Sequence, residues 1–204
     1  FISSSGAVNA GYFQNAGKTR RQGLELGIQG RVQKLNLAVN YGYIDAIFDS
    51  SLTLNSPNNS SANANGDIQV SPGDKIPGIP AQSLKVRVGY DFTETVSAGT
   101  NIMVFSSQYA RGDENNQDVN GKVPGYTLVN LDARYQPTRQ LLFFGRINNV
   151  FNTKYETLGV LGQNFFNGPG RTFDAGNVTS DQFLSTGAPL GIWVGVQYTF
   201  APKH

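Results

Sequence analysis

The sequence predicts an all-β fold: an antiparallel up-and-down transmembrane β-barrel wall of about seven or eight strands. Three observations carry this. Apolar and polar residues alternate with period two in segment after segment, which places apolar side chains on one face of each strand. The connections between these segments alternate between tight and long. No amphipathic helical repeat of useful length occurs, nor any run of about 18 apolar residues that could cross a membrane as a helix.

The elements follow in order. A stub at 1–3 reads as the tail of one strand. Over 20–32, Leu24, Leu26 and Ile28 oppose Gly23, Glu25, Gly27 and Gln29. Over 34–48, Leu35, Leu37, Val39, Tyr41 and Tyr43 oppose Asn36, Ala38, Asn40 and Gly42. Over 82–92, Leu84, Val86, Val88, Tyr90 and Phe92 oppose Lys85, Arg87, Gly89 and Asp91. The segment 95–109 alternates from Val96 to Val104, and 125–136 sets Val129, Leu131, Ala133 and Tyr135 against Asn130, Asp132 and Arg134. Over 140–152, Phe143 and Ile147 oppose Arg146 and Asn148, although Leu142, Phe144 and Asn149 blur the pattern. The last strand, 189–200, carries Ile192, Val194, Val196, Tyr198 and Phe200 on one face.

The links at Gln33, Thr93–Glu94 and Gln136–Arg139 are tight, whereas 4–19, 49–81, 110–124 and 153–188 are long. In a meander every second connection lies at the same end. All long loops therefore gather at one rim and all tight turns at the other, the asymmetry of an outer-membrane barrel. An odd strand count would leave apolar edges unpaired, so further strands are expected upstream, and the start FISSSG reads as that of a processed product or fragment.

Composition narrows the function. Charged residues are 15% of the 204, against about 25% in soluble domains. The formal net charge is +2, too even to point to nucleic acid. There is no cysteine, which excludes disulfides and thiolate metal sites. The single histidine is His204, in the 201–204 tail. A Ser-His-Asp triad or a zinc site therefore cannot be assembled within the strands. No enzymatic activity, cofactor or metal is expected.

On a barrel reading, the apolar faces meet lipid and the charged faces meet water. Glu25, Arg87, Asp132, Arg134, Arg146 and Asn148 are then candidate lumen-lining residues. Tyr41, Tyr43, Tyr90, Phe92, Tyr135 and Tyr198 are candidates for interfacial girdles. In the long loops, Tyr109 and Arg111, and Phe165, Phe166, Arg171 and Phe173 within NFFNGPGRTFD, combine cations with aromatics. Such a set suits a planar or anionic small molecule; packing of the loop onto the rim is the alternative. The Asn- and Ser-rich stretch 50–66 reads as a flexible external loop, and GDENNQD within 110–124 as a solvated one.

Four stretches carry a family resemblance: YFQNAGKTRRQGLELGIQGR (12–31), PGDKIPGIPAQSLKVRVGYDF (72–92), GYTLVNLDARYQPTRQLLFFGRINNVFNTKY (125–155) and GIWVGVQYTF (191–200). The Asn-x-Gly-x-Thr-Arg-x-x-Gly-x-Glu run from Asn15 to Glu25 and the Arg-x-Asn-Asn-x-Phe-Asn-x-x-Tyr run from Arg146 to Tyr155 are its most specific parts. With the closing alternating strand, they make the chain resemble the C-terminal part of a TonB-dependent outer-membrane receptor. The resemblance implies a barrel of roughly 22 strands plugged by a separate N-terminal domain, to which residues 1–200 contribute roughly the last third. It also implies residence in the bacterial outer membrane and uptake of a scarce ligand, such as a ferric siderophore, driven by the TonB complex. The implied partners are membrane lipid, the preceding barrel strands, a plug domain that this chain does not include, and that ligand. Three rivals stay open on the sequence: a passive porin, a soluble ligand-binding barrel and, weakest because the only histidine is in the tail, an outer-membrane enzyme. The soluble barrel would bring Leu24, Val86, Val129 and Val196 together in a closed interior, with Arg87 and Arg134 outside.

Overall fold

The computed structural model describes residues 2–3, 11–12 and 17–200. Its strands are β1 (Ile2–Ser3), β2 (Gly11–Tyr12), β3 (Thr19–Val32), β4 (Leu35–Phe48), β5 (Leu52–Asn55), β6 (Asp67–Val70) and β7 (Gln82–Asp91). They continue with β8 (Val96–Phe105), β9 (Tyr126–Tyr135), β10 (Leu141–Asn148), β11 (Glu156–Asn164), β12 (Thr179–Thr186) and β13 (Gly191–Tyr198). One 3-10 turn, Pro169–Arg171, is the only helical element among the described residues.

Seven strands form one antiparallel sheet in the order β13-β10-β9-β8-β7-β4-β3. Every neighbour in that sheet is a neighbour in sequence once the inserted hairpins are passed over, so the sheet is an up-and-down meander. The seven strands expected from period-two alternation are these seven, with ends shifted by up to four residues. The largest shifts, of four residues, are at β10, which stops at Asn148 rather than at 152, and at β8, which stops at Phe105 rather than at Tyr109. Beyond β8, Gln108 is held by an isolated bridge to Val123 instead of by a sheet ladder. The stub at the N-terminus is not an eighth strand of this sheet: Ile2–Ser3 pairs with Gly11–Tyr12. Asn15 and the tail with His204 lie outside the described residues.

The tight turns all fall at one end. Gln33 takes a left-handed φ of 53° between β3 and β4. The Thr93 hydroxyl accepts the N–H groups of Thr95 and Val96 between β7 and β8. The Thr138 hydroxyl accepts the Leu141 N–H between β9 and β10. The long connections occupy the other end, and two of them contain hairpins that alternation along the chain does not announce. β5 pairs with β6 and β11 with β12, each as a separate two-stranded sheet.

Register sorts the side chains into two faces. Ile28, Val39, Val86, Ile102 and Val129 stand side by side across β3, β4, β7, β8 and β9. Leu131, Ile147 and Ile192 continue the apolar face across β9, β10 and β13. Among the described residues no second layer covers it: Ile28 is 72% exposed, Val194 85% and Val196 62%. Leu24, Val86, Val129 and Val196 therefore do not converge in a closed interior. The buried apolar clusters lie instead at the long-loop rim. One joins Phe48, Ile68 and Val70 beneath the β5–β6 hairpin, and the other joins Ala110, Val123 and Leu161.

The aromatics predicted at strand ends divide. Tyr90 with Phe92, Tyr135 with Phe143, and Tyr198 with Phe200 form three ring pairs at the tight-turn end, with centroids 5.0, 6.1 and 5.0 Å apart. Tyr41 and Tyr43 instead stand in the middle of β4, because that strand runs on to Phe48.

Candidate functional site

The face opposite the apolar one is polar and charged. Arg31, Asn36, Gly89, Gly99, Asp132, Arg146 and Trp193 form one row across all seven strands. Arg87 stands on β7 opposite Asn101, and its guanidinium crosses β8 to pair in two-pronged fashion with Asp132 on β9. The Nη2–Oδ2 distance is 2.9 Å. Gly99 lies under that crossing: a Cβ there would come within 2.6 Å of Arg87 Nη2. Arg146 faces Asp132 from β10, and Arg134 donates to Gln136 Oε1 at 2.5 Å. A groove of about 810 Å³ on this face is lined by Arg87, Asp132, Arg134, Arg146, Asn148 and Trp193, among others. Five of the six predicted lumen residues thus share one groove. Glu25 does not join them; it faces Gly42 at the other edge of the sheet. The blurred alternation of β10 has its explanation here, since the Phe144 ring lies on Gly195, on the charged face.

The long-loop rim is the second part of the site. The loops expected to be flexible and solvated are instead bonded to one another. In the β5–β6 connection, Asn59 is buried, and its amide group donates to Gly112 O at 2.9 Å, Asn115 Oδ1 at 3.1 Å and Asp113 Oδ1 at 3.3 Å. The Ser56 hydroxyl donates to the same Gly112 carbonyl at 2.7 Å. Asn116 clasps the Lys75 backbone from both sides, accepting its N–H at 2.6 Å and donating to its carbonyl at 3.0 Å. Asp113, Asn115 and Asp118 of GDENNQD are buried. Side-chain amides and backbone N–H groups replace water around them, which is how a hydrophilic loop packs away from solvent. Reading these loops as solvated missed this lock. Its only sequence signal is the density of Asn, Asp and Ser, residues that bond locally to backbone.

Burial pushes the Asp113 carboxyl above the ordinary aspartate range, and the neighbouring Asp118 charge adds to it. Burial likewise raises Glu114. Asp118 moves the other way. Burial pushes it up, but hydrogen bonds from the Ser60 and Asn120 backbone N–H groups and from their side chains outweigh that and hold it below the usual range.

The predicted ligand residues fall into two groups. Tyr109 is half-buried beneath Lys122, whose Nζ sits 4.7 Å from the ring centroid. Arg111 is exposed, and its backbone is bonded to β11 through the Gly159 carbonyl and the Leu161 N–H. Phe165, Phe166 and Phe173 gather at the tip of the β11–β12 hairpin. Phe173 stacks on Phe165 at 6.0 Å and meets Phe166 edge-on at 6.1 Å. Arg171, with φ of 61°, ends the 3-10 turn beside them and is exposed. Arg111 bridges to Val160, five residues before Phe165, a rise of roughly 16 Å along a strand. The structure therefore presents an inner pair and an outer aromatic tip on one hairpin. A third cluster carries no signal in the alternation: Phe105, Tyr126 and Tyr155 lie ring against ring at the rim end of the charged face, each pair tilted by 41°, with centroids 5.2 and 4.6 Å apart.

Comparison with known proteins gives three findings. A family model described as TonB dependent receptor-like, beta-barrel matches residues 1–150. A metal-pseudopaline receptor of Pseudomonas aeruginosa is 26% identical over 148 residues, covering 72% of this chain and 19% of that protein. The chain thus spans about a fifth of the length of the curated relatives it matches. Among solved structures, the siderophore receptor PiuA of Acinetobacter baumannii superposes with a TM-score of 0.65 at 18% identity, covering 90% of this chain and 22% of that one. The ferric yersiniabactin uptake receptor FyuA of Yersinia pestis superposes with a TM-score of 0.62 at 16% identity, covering 92% and 24%. At these identities the two structures speak for the fold alone.

Proposed function

This chain belongs to the TonB-dependent receptor-like β-barrel family, and from that premise we propose that it is the C-terminal wall of a bacterial outer-membrane receptor for energy-coupled uptake of a scarce metal chelate, a ferric siderophore or a close analogue. One observation carries the reading. A seven-stranded meander exposes a continuous apolar face on one side, a groove rich in arginine on the other, and all its long loops at one end. Lipid is the solvent that suits the first face, since a lysine or arginine there at mid-depth would cost about 2–4 kcal/mol. Water in a lumen suits the second, with Glu25, Arg87, Asp132, Arg134, Arg146 and Asn148 as its lining.

In this reading the rim captures the ligand. The tip with Phe165, Phe166, Arg171 and Phe173 offers ring faces and a guanidinium to a planar, anionic chelate. Tyr109 and Arg111 offer a second contact deeper in the rim. Passage then runs along the charged wall when the receptor's plug domain rearranges under TonB.

The experiment expresses the full-length receptor in a siderophore-negative host, with and without TonB, and supplies a panel of ferric siderophores under iron limitation. The expected result is growth on at least one of them that requires TonB and falls at least tenfold in half-saturating concentration when Phe173→Ala and Arg171→Ala are combined. Uptake that persists without TonB would replace the proposal with a passive channel.

A further inference from the structure

Three long connections meet at the rim, and each is bonded to the other two. The β5–β6 hairpin holds the 106–125 connection through more than the Ser56 and Asn59 bonds to the Gly112 carbonyl. Asp118 Oδ2 accepts the Ser60 N–H at 2.9 Å, the Ser60 hydroxyl accepts the Val119 N–H at 2.8 Å, and the Asn115 amide donates to the Ser61 hydroxyl at 2.7 Å. The 106–125 connection in turn holds the β11–β12 hairpin. The Arg111 N–H donates to Gly159 O at 2.9 Å, the Leu161 N–H to Arg111 O at 2.8 Å, the Gln108 amide to Thr157 O at 2.9 Å and the Gln182 amide to Gly121 O at 3.1 Å. The Ser180 hydroxyl closes the ring at Asn58 Oδ1, 3.4 Å away.

Two glycines show how closely these segments pack. A Cβ on Gly159 of β11 would come within 2.5 Å of Val123 Cγ2 and 3.1 Å of Ala110 Cβ. A Cβ on Gly112 would come within 2.9 Å of Leu161 Cβ, on β11, and 3.3 Å of Ser56 Oγ, in the β5–β6 connection. Gly112 is therefore the junction of all three segments, and its φ of 95° also suits glycine. Surface loops ordinarily move independently. Here, lifting one of them strips hydrogen-bond partners from buried polar groups of the others, among them Ser56, Asn59, Gln108, Asp113, Asn115 and Asp118. Segments that share buried groups in this way open together. The tip of the β11–β12 hairpin is different: the Asn167 amide donates to Asn164 O at 2.7 Å, Asn177 O at 3.0 Å and Thr179 Oγ1 at 3.0 Å, all within the hairpin itself.

We propose that the β5–β6 hairpin, the 106–125 connection and the base of the β11–β12 hairpin form one preassembled platform that opens as a single unit about Gly112, and that only the hairpin tip, 164–178, moves on its own. A molecule arriving at the rim then meets a surface already built, and any closure over it is confined to the tip. The proposal goes beyond the uptake reading and does not depend on it.

The test is hydrogen exchange read by mass spectrometry on the full-length receptor in detergent, with no ligand added. In wild type the hydrogen-bonded amides of 56–66, 108–123, 157–162 and 180–185 should show protection factors within about tenfold of one another, as one cooperative opening requires. Gly112→Ala and Gln182→Ala should each speed exchange severalfold in all of these segments. Asn167→Ala should speed it only within 164–178. The Gln182 side chain is half-buried, so Gln182→Ala keeps the test decisive if Gly112→Ala fails to fold. Widely different protection among the segments in wild type, an effect of Gln182→Ala confined to its own hairpin, an effect of folded Gly112→Ala confined to 106–125, or an effect of Asn167→Ala that spreads to the platform overturns the proposal.

Discussion

At the scale of the residue, the charged wall depends on a side chain that is missing. Gly99 leaves the space through which the Arg87 guanidinium reaches Asp132. The partners are partly exposed, at 40% and 32% of their side-chain surface, so solvent weakens the pair. Geometry matters more here: a β-branched side chain at 99 would press on the guanidinium and push it away from Asp132. Gly99→Val should lower the temperature at which the folded barrel loses its compact mobility on an SDS gel. Gly89→Val, which faces Gly99 across the ladder but meets only Asn36 Cβ at 3.7 Å, should change it far less. Equal effects of the two would show that strand propensity, and not the arginine crossing, sets the requirement.

At the scale of the element, the alternation of β7 separates two faces of opposite character. Val86 and Arg87 are neighbours in sequence and face opposite ways, Val86 in the apolar row and Arg87 toward Asp132. Val86→Arg should destabilise the assembled barrel by about 2–4 kcal/mol, the cost of a cation at mid-depth in lipid. Gln29→Arg, on the polar face of β3 and opposite Ala38, should cost far less, because no lipid meets a cation there. Urea-driven unfolding of the full-length receptor in liposomes measures both. Equal sensitivity of the two positions would refute the assignment of faces. Strand positions were legible because period two is a local signal. The β5–β6 and β11–β12 hairpins were not: β5 and β6 have only four residues each, the alternation of β11 and β12 is interrupted by polar residues, and both hairpins gain their apolar contacts from Phe48, Ala110 and Val123 elsewhere in the chain.

At the scale of the whole molecule, the sheet formed by the described residues has two open edges, β3 and β13, and one exposed apolar face. Both are aggregation hazards in water. Expressed alone, the chain should sediment with insoluble material and refold into a protease-resistant form only when the remaining barrel strands and detergent are supplied. A monodisperse, detergent-free monomer of this chain would contradict the barrel reading. What the sequence determined by itself is the number of main strands, their apolar and charged faces, and the gathering of long loops at one rim, because each follows from spacing between near neighbours. What only the tertiary structure decided is where side chains far apart in sequence meet. Arg87 finds Asp132 across 45 residues, and Asn59 finds Asp113 across 54. Those meetings depend on register and on how two loops fold over a common rim, and a periodic pattern along the chain carries neither.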